Sequence, residues 1–202
     1  MSNVLALDPI TAENERPSHR RLRRLSSGLA LLFTALLVFY ALFILAGIAV
    51  VLFFSAYLQM NAQGVWFGIG LHGAIPRAIP GMVRFSDQPL ITHLAGIADF
   101  VLAAVPIFFV FLHLRGLFRL YAAGTVFARE NATHLKRIGL WLIAYPFVKF
   151  AANMLFQLAG GLDRAWFHMM GVQALVLGLI VVAIAQVMEF GREIEQEKDS
   201  FV

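Results

Sequence analysis

Most of the chain consists of four long apolar runs separated by polar stretches. Residues 28–58 contain no ionisable side chain except Tyr40 and Tyr57. As a helix rising 1.5 Å per residue this run would be about 46 Å long, against a hydrocarbon core of ~30 Å, so it must tilt or project from the bilayer. Residues 93–114, 138–158 and 167–188 are each close to the ~20 residues a spanning helix needs. The pattern predicts an all-α fold, an integral membrane four-helix transmembrane bundle. Residues 1–27 form a basic polar leader, and the run behind it is too long for the apolar part of a signal peptide, so it reads as a retained anchor. Between the spans lie an outer loop at 59–92 and a hairpin at 115–137, and residues 191–202 form an acidic tail.

Composition supports this class. The chain is 60% hydrophobic and 14% charged, whereas a soluble domain carries about 25% charged residues. With no cysteine, disulfides, thiolate metal sites and cysteine nucleophiles are excluded. Of the 16 lysines and arginines, twelve flank the spans on one side, at 16–24, 115–137 and 192–198. Only Arg77, Arg84 and Arg164 lie on the other side, and Lys149 falls inside the third run. By the positive-inside rule both termini and the hairpin are cytoplasmic, as expected of a multi-pass membrane protein.

Asp99 in the second run and Lys149 in the third are the charges within apolar sequence. Each would cost about 2.5–3.5 kcal/mol facing lipid. Their depths differ by only about 4–5 Å at the helical rise, so they are expected to pair or to share a polar pocket. Tyr145, Lys149, Asn153 and Gln157 recur at intervals of four along one helix face, while Thr92, Asp99, Pro106 and His113 recur at seven. Pro106 and Pro146 can kink their helices. The sharp reading is a small hydrated cavity that holds a ligand. The plain one is interhelical glue, each such interaction contributing about 0.6 kcal/mol. On the fourth run Gly171, Ala174 and Gly178 form a small-residue side that permits close approach of another helix.

Chemistry beyond this is sparse. His72, His93 and His168 lie on the outer side with Asp87 and Asp163, yet no two histidines sit at metal-ligand spacing. No metal, cofactor or catalytic residue is expected. GIGLHG in the outer segment matches a glycine-rich nucleotide fingerprint, but no strand–helix unit surrounds it. That outer segment, with Pro76, Pro80 and Trp66, reads as a loop on the outer leaflet, or as a lid.

The hairpin carries net charge +4 and the tail from Glu189 carries −3. Leu114, Leu117, Phe118 and Tyr121 make an apolar helical face, and Gly124 is suited to ending that helix in a left-handed conformation. Arg115, Arg119, Arg129, Glu130, Asn131, Lys136 and Arg137, with Phe127 beneath the turn, are the candidate contacts for a cytoplasmic partner or anionic lipid.

The stretch LFRLYAAGTVFARENATHLKRIG, residues 117–139, resembles the signature of a bacterial membrane family, domain of unknown function 2975. The likeness rests on Gly124, Phe127, Glu130 and Asn131 and extends over roughly residues 28–190. Ala128 stands where that pattern more often has a capping Ser or Thr, so Thr125 is the candidate substitute cap. The resemblance implies four spans and a membrane partner of a helix-turn-helix transcription regulator, and it carries over no catalytic residue. The expected function is therefore regulatory or sensory. The rivals are a small transporter or membrane-embedded enzyme around Asp99 and Lys149, and a structural subunit of a membrane complex. The bilayer itself, a soluble regulator and further copies of the chain are the partners these readings entail, with no direct contact to nucleic acid.

Overall fold

The structure, a computed structural model, describes residues 17–62, 64–67, 81–125, 128–162 and 169–200. Four long helices dominate these residues: α1 Pro17–Phe53, α2 Leu90–Ala122, α3 Arg129–Leu158 and α4 Met169–Ser200. All four are long and apolar enough to cross a membrane. Each runs further at one end than the apolar pattern indicates. Residues 17–27 of the supposed leader form the first turns of α1, α2 runs on to Ala122 and α3 starts already at Arg129 across the hairpin turn, and α4 continues through the acidic residues to Ser200. Pro17 tolerates the first position of α1 because the N–H it lacks has no intrahelical acceptor there.

At its far end α1 departs from expectation in the other direction. It stops at Phe53, a 3-10 turn follows at Ser55–Tyr57, and the chain becomes strand β1, Leu58–Asn61. With β2, Gly64–Phe67, and β3, Val83–Arg84, it forms a small antiparallel sheet in the order β2-β1-β3. Gln59 pairs with Trp66 on one side and Arg84 on the other, and Met60 with Val65 and Val83. The outer segment is thus partly a sheet rather than a loop. No sequence breaker marks the change, because Leu58 simply continues the apolar run. Long-range ladder bonds and burial of both strand faces decide it. Leu58 and Met60 pack with Phe85 and Phe156, and the Gln59 side chain is also buried. Gly96 of α2 gives Phe85 its seat, since a Cβ there would lie 3.0 Å from the ring.

Each helix packs chiefly on its neighbours in sequence. The α1–α2 seam is aromatic: Phe33 stacks on Phe118 with ring centroids 5.4 Å apart, Tyr40 meets Phe111 edge-on at 5.7 Å, and Phe43 lies 5.7 Å from Phe100. The α3–α4 seam is built from small residues. A Cβ on Gly178 would meet the Gly139 carbonyl oxygen at 2.7 Å, and one on Gly171 would meet Pro146 at 3.3 Å. The small side of the fourth run is therefore occupied within the molecule, where two backbones touch. The outward faces of α1 and α4 carry exposed Leu31, Phe39, Leu42, Leu177, Ile180 and Val187, an apolar surface suited to lipid rather than water.

Candidate functional site

The seam between α2 and α3 collects the polar chemistry. On α2 the seven-residue repeat Thr92, Asp99, Pro106 and His113 is the face turned towards α3, with Thr92, Pro106 and His113 buried. A repeat of seven keeps one helix face on its neighbour when two helices supercoil gently. Three rungs cross this antiparallel pair. At the sheet end, the Thr92 hydroxyl donates to the Ala159 carbonyl. Deeper in, Lys149 Nζ donates to both carboxylate oxygens of Asp99, at 2.9 and 3.1 Å. At the other end His113 Nδ1 and His134 Nδ1 lie 3.3 Å apart.

The Asp99–Lys149 pair meets the expectation drawn from depth. The side chains keep 16% and 28% of their exposure, so the charges are largely withdrawn from the surface, and each compensates the other. Along α3 the stripe continues as expected only in part. Gln157 donates to the Asn153 carbonyl oxygen, while Asn153 Nδ2 is buried without a hydrogen-bond partner among the described residues. Tyr145 is half-buried on the same helix. His93 sits edge-on against Phe85, ring centroids 4.7 Å apart. His72, Asp163 and His168 lie outside the described residues.

The hairpin is closed by its own backbone. Gly124 takes φ +88°, a left-handed conformation in which glycine meets no Cβ clash. Its N–H bonds the Tyr121 carbonyl at 3.1 Å and the Thr125 N–H bonds the Leu120 carbonyl at 3.1 Å, the paired bonds of a Schellman ending. The Asn131 side chain then donates to the Thr125 carbonyl at 2.6 Å. Thr125 does not cap α3, since its hydroxyl turns back to the Leu120 carbonyl at 2.8 Å. Ala128 occupies the cap position without a side-chain bond. Arg23 adds a third helix to this end by donating to the Ala122 carbonyl at 3.3 Å. Of the residues expected to meet a partner, Arg119, Arg129, Glu130, Lys136 and Arg137 are exposed and Arg115 is half-buried. Asn131 is fully buried and acts on the turn instead. Phe127 lies outside the described residues.

Sequence spacing does not reveal the histidine pair. His113 and His134 are separated by the whole hairpin, with no motif linking them. The seven-residue repeat on α2 marks His113, and nothing in the sequence marks His134. A bond between two imidazoles needs one protonated and one bare Nδ1, so at least one ring is neutral at that atom. The His134 ring packs against Gly116, where a Cβ would come within 2.6 Å of it. Beside the pair a groove of about 270 Å³ is lined by Arg115, Arg119 and Gly116. A second, of about 640 Å³, runs along Phe109, Leu140, Trp141 and Ala144 with Arg137 at its edge. Leu112 and His113 line both, so the two adjoin. Phe109 and Trp141 stack with centroids 4.5 Å apart, forming a flat wall.

Four apolar helices, polar rungs in their seams and, among the described residues, every arginine but Arg84 at one end define a multi-pass α-helical membrane protein. The chain belongs to the family described as Protein of unknown function (DUF2975), whose family model matches residues 56–202, well over half of the sequence and including the hairpin signature. Helix α1 lies ahead of the matched region. No curated protein and no solved structure matches the chain.

Proposed function

We propose that the protein is a regulatory or sensory component of a bacterial inner membrane, with the basic end in the cytoplasm and the small sheet outside. Its rigid hairpin presents charge to a soluble regulator of the helix-turn-helix type. The supporting observation is the state of the hairpin charges. Arg129, Glu130, Lys136 and Arg137 are exposed on a helix whose start is fixed by Asn131, and none forms an ion pair among the described residues. Such charges add little to stability and remain available to a complementary surface, where they set partner choice. The kind of partner comes from the family resemblance. The test is co-purification, from membranes, of the full chain with a co-expressed regulator of the helix-turn-helix type. Arg129→Ala with Glu130→Ala is expected to cut capture about tenfold, the factor that loss of ~1.4 kcal/mol produces. Unchanged capture sinks the reading.

A second reading, a small transporter or embedded enzyme, is favoured by the Asp99–Lys149 pair and by the buried Asn153 amide nitrogen in the same seam, which has no hydrogen-bond partner among the described residues. Ionisable groups inside a membrane commonly mark a substrate or proton path. If this reading holds, Asp99→Asn abolishes uptake or turnover while the folded protein still accumulates. The regulatory reading instead predicts a loss of folded protein alone.

A further inference from the structure

We propose that the two adjoining grooves at the basic end of the α2–α3 seam together bind one anionic phospholipid. Its phosphate is held by Arg115, Arg119 and Arg137 beside the His113–His134 pair, and an acyl chain lies along the Phe109–Trp141 wall. The proposal does not depend on the regulator reading.

The polar limb is short of negative charge. Neither groove is lined by any acidic residue, and Arg115, Arg119 and Arg137 form no ion pair among the described residues. Arg115 Nε is buried with no hydrogen-bond partner among them. A buried donor left unmade costs free energy until an acceptor reaches it, and guanidinium forks match the oxygens of a phosphate. The two histidines, 3.3 Å apart, stand at a spacing two ligands of one metal ion also adopt. The surrounding guanidinium groups repel a cation and attract an anion.

The apolar limb distinguishes a lipid from a free anion. Phe109, Leu112, Leu140, Trp141 and Ala144 line the groove that Arg137 edges, and Leu112 and His113 join it to the groove of Arg115 and Arg119. That junction of charge and hydrocarbon is the profile of a phospholipid at the membrane interface, and basic pockets between spanning helices hold anionic headgroups on this principle. A polar-only ligand would leave the larger limb unfilled.

Trp141 supplies its own probe. The full chain is reconstituted in phosphatidylcholine nanodiscs that contain, at equal mole fraction, either brominated phosphatidylglycerol or brominated phosphatidylcholine. Fluorescence lost in the parent but not in Trp141→Phe reports bromine at the slot. Brominated phosphatidylglycerol is expected to quench Trp141 about threefold more than brominated phosphatidylcholine, a preference worth under the ~1.4 kcal/mol of a tenfold ratio. Arg115→Gln with Arg137→Gln should abolish that preference, and excess inorganic phosphate should leave it intact in the parent. Equal quenching by the two lipids overturns the proposal, as does a preference that survives the double substitution. Loss of the preference to inorganic phosphate shows a site for a free anion and also overturns it. If the double variant does not fold, the parent comparison and the phosphate competition still decide.

Discussion

At the residue scale, the Asp99–Lys149 pair holds two charges where either alone would be expensive. Replacing Asp99 with Asn leaves the Lys149 ammonium without its carboxylate, and should lower stability in detergent by about 1–3 kcal/mol. Exchanging the two, Asp99→Lys with Lys149→Asp, should restore roughly half of that loss, a non-additivity typical of groups in contact. Thermal unfolding followed by helical circular dichroism measures both, and equal tolerance of single and exchanged variants would contradict the pairing. Asn131→Ala removes the bond that ties α3 to the Thr125 carbonyl and should cost about 1–2 kcal/mol by the same assay. These residues were not equally visible in the sequence. A charge inside an apolar run stands out, and helical rise alone sets Asp99 and Lys149 at similar depth. His113 and His134 carry no such mark, because they meet only when the hairpin closes. Asn131 looked like a surface residue from its place in a charged stretch, but its amide is drawn inward by an unpaired turn carbonyl.

At the element scale, close backbone approach rather than side-chain interlock sets the α3–α4 crossing. Gly178→Leu forces a side chain into the Gly139 carbonyl and Ile143, where a first carbon already stands at 2.7–2.8 Å. It should destabilise by about 1–3 kcal/mol or separate the helices. Gly28→Leu, which meets nothing within 4 Å, should fall within about 0.5 kcal/mol of the parent, as surface changes do. Comparing the two unfolding midpoints checks the claim, since a general loss of glycine flexibility would affect both. The helices were legible because long apolar runs admit almost no other structure in lipid. Their ends were less so. Residues 17–27 and 191–200 are largely polar yet helical, as neither stretch has a proline after Pro17 and helix can extend past the bilayer. The sheet was not legible at all: β3 is only Val83–Arg84, β1 lies at the tail of an apolar run, and pairing across more than twenty residues leaves no local period.

At the scale of the whole molecule, four antiparallel helices bring the described beginning of α1, the α2–α3 hairpin and the end of α4 to one end, with the sheet at the other. Arg23 bonding to Ala122 ties the first two of these together. The proposed orientation, basic end inward, underlies both the regulator surface and the lipid groove, because anionic headgroups and a soluble regulator are both met on the cytoplasmic face. The absence of native cysteine makes that orientation directly measurable. Ser86 at the sheet end and Thr133 on the hairpin helix are both exposed, so Ser86→Cys and Thr133→Cys each introduce one reactive thiol into an otherwise thiol-free chain. In cells whose outer barrier admits a maleimide that cannot cross the inner membrane, Cys at position 86 should be labelled at once. Cys at position 133 should react only after that membrane is opened. Labelling of position 133 and protection of position 86 would reverse the orientation and contradict the account.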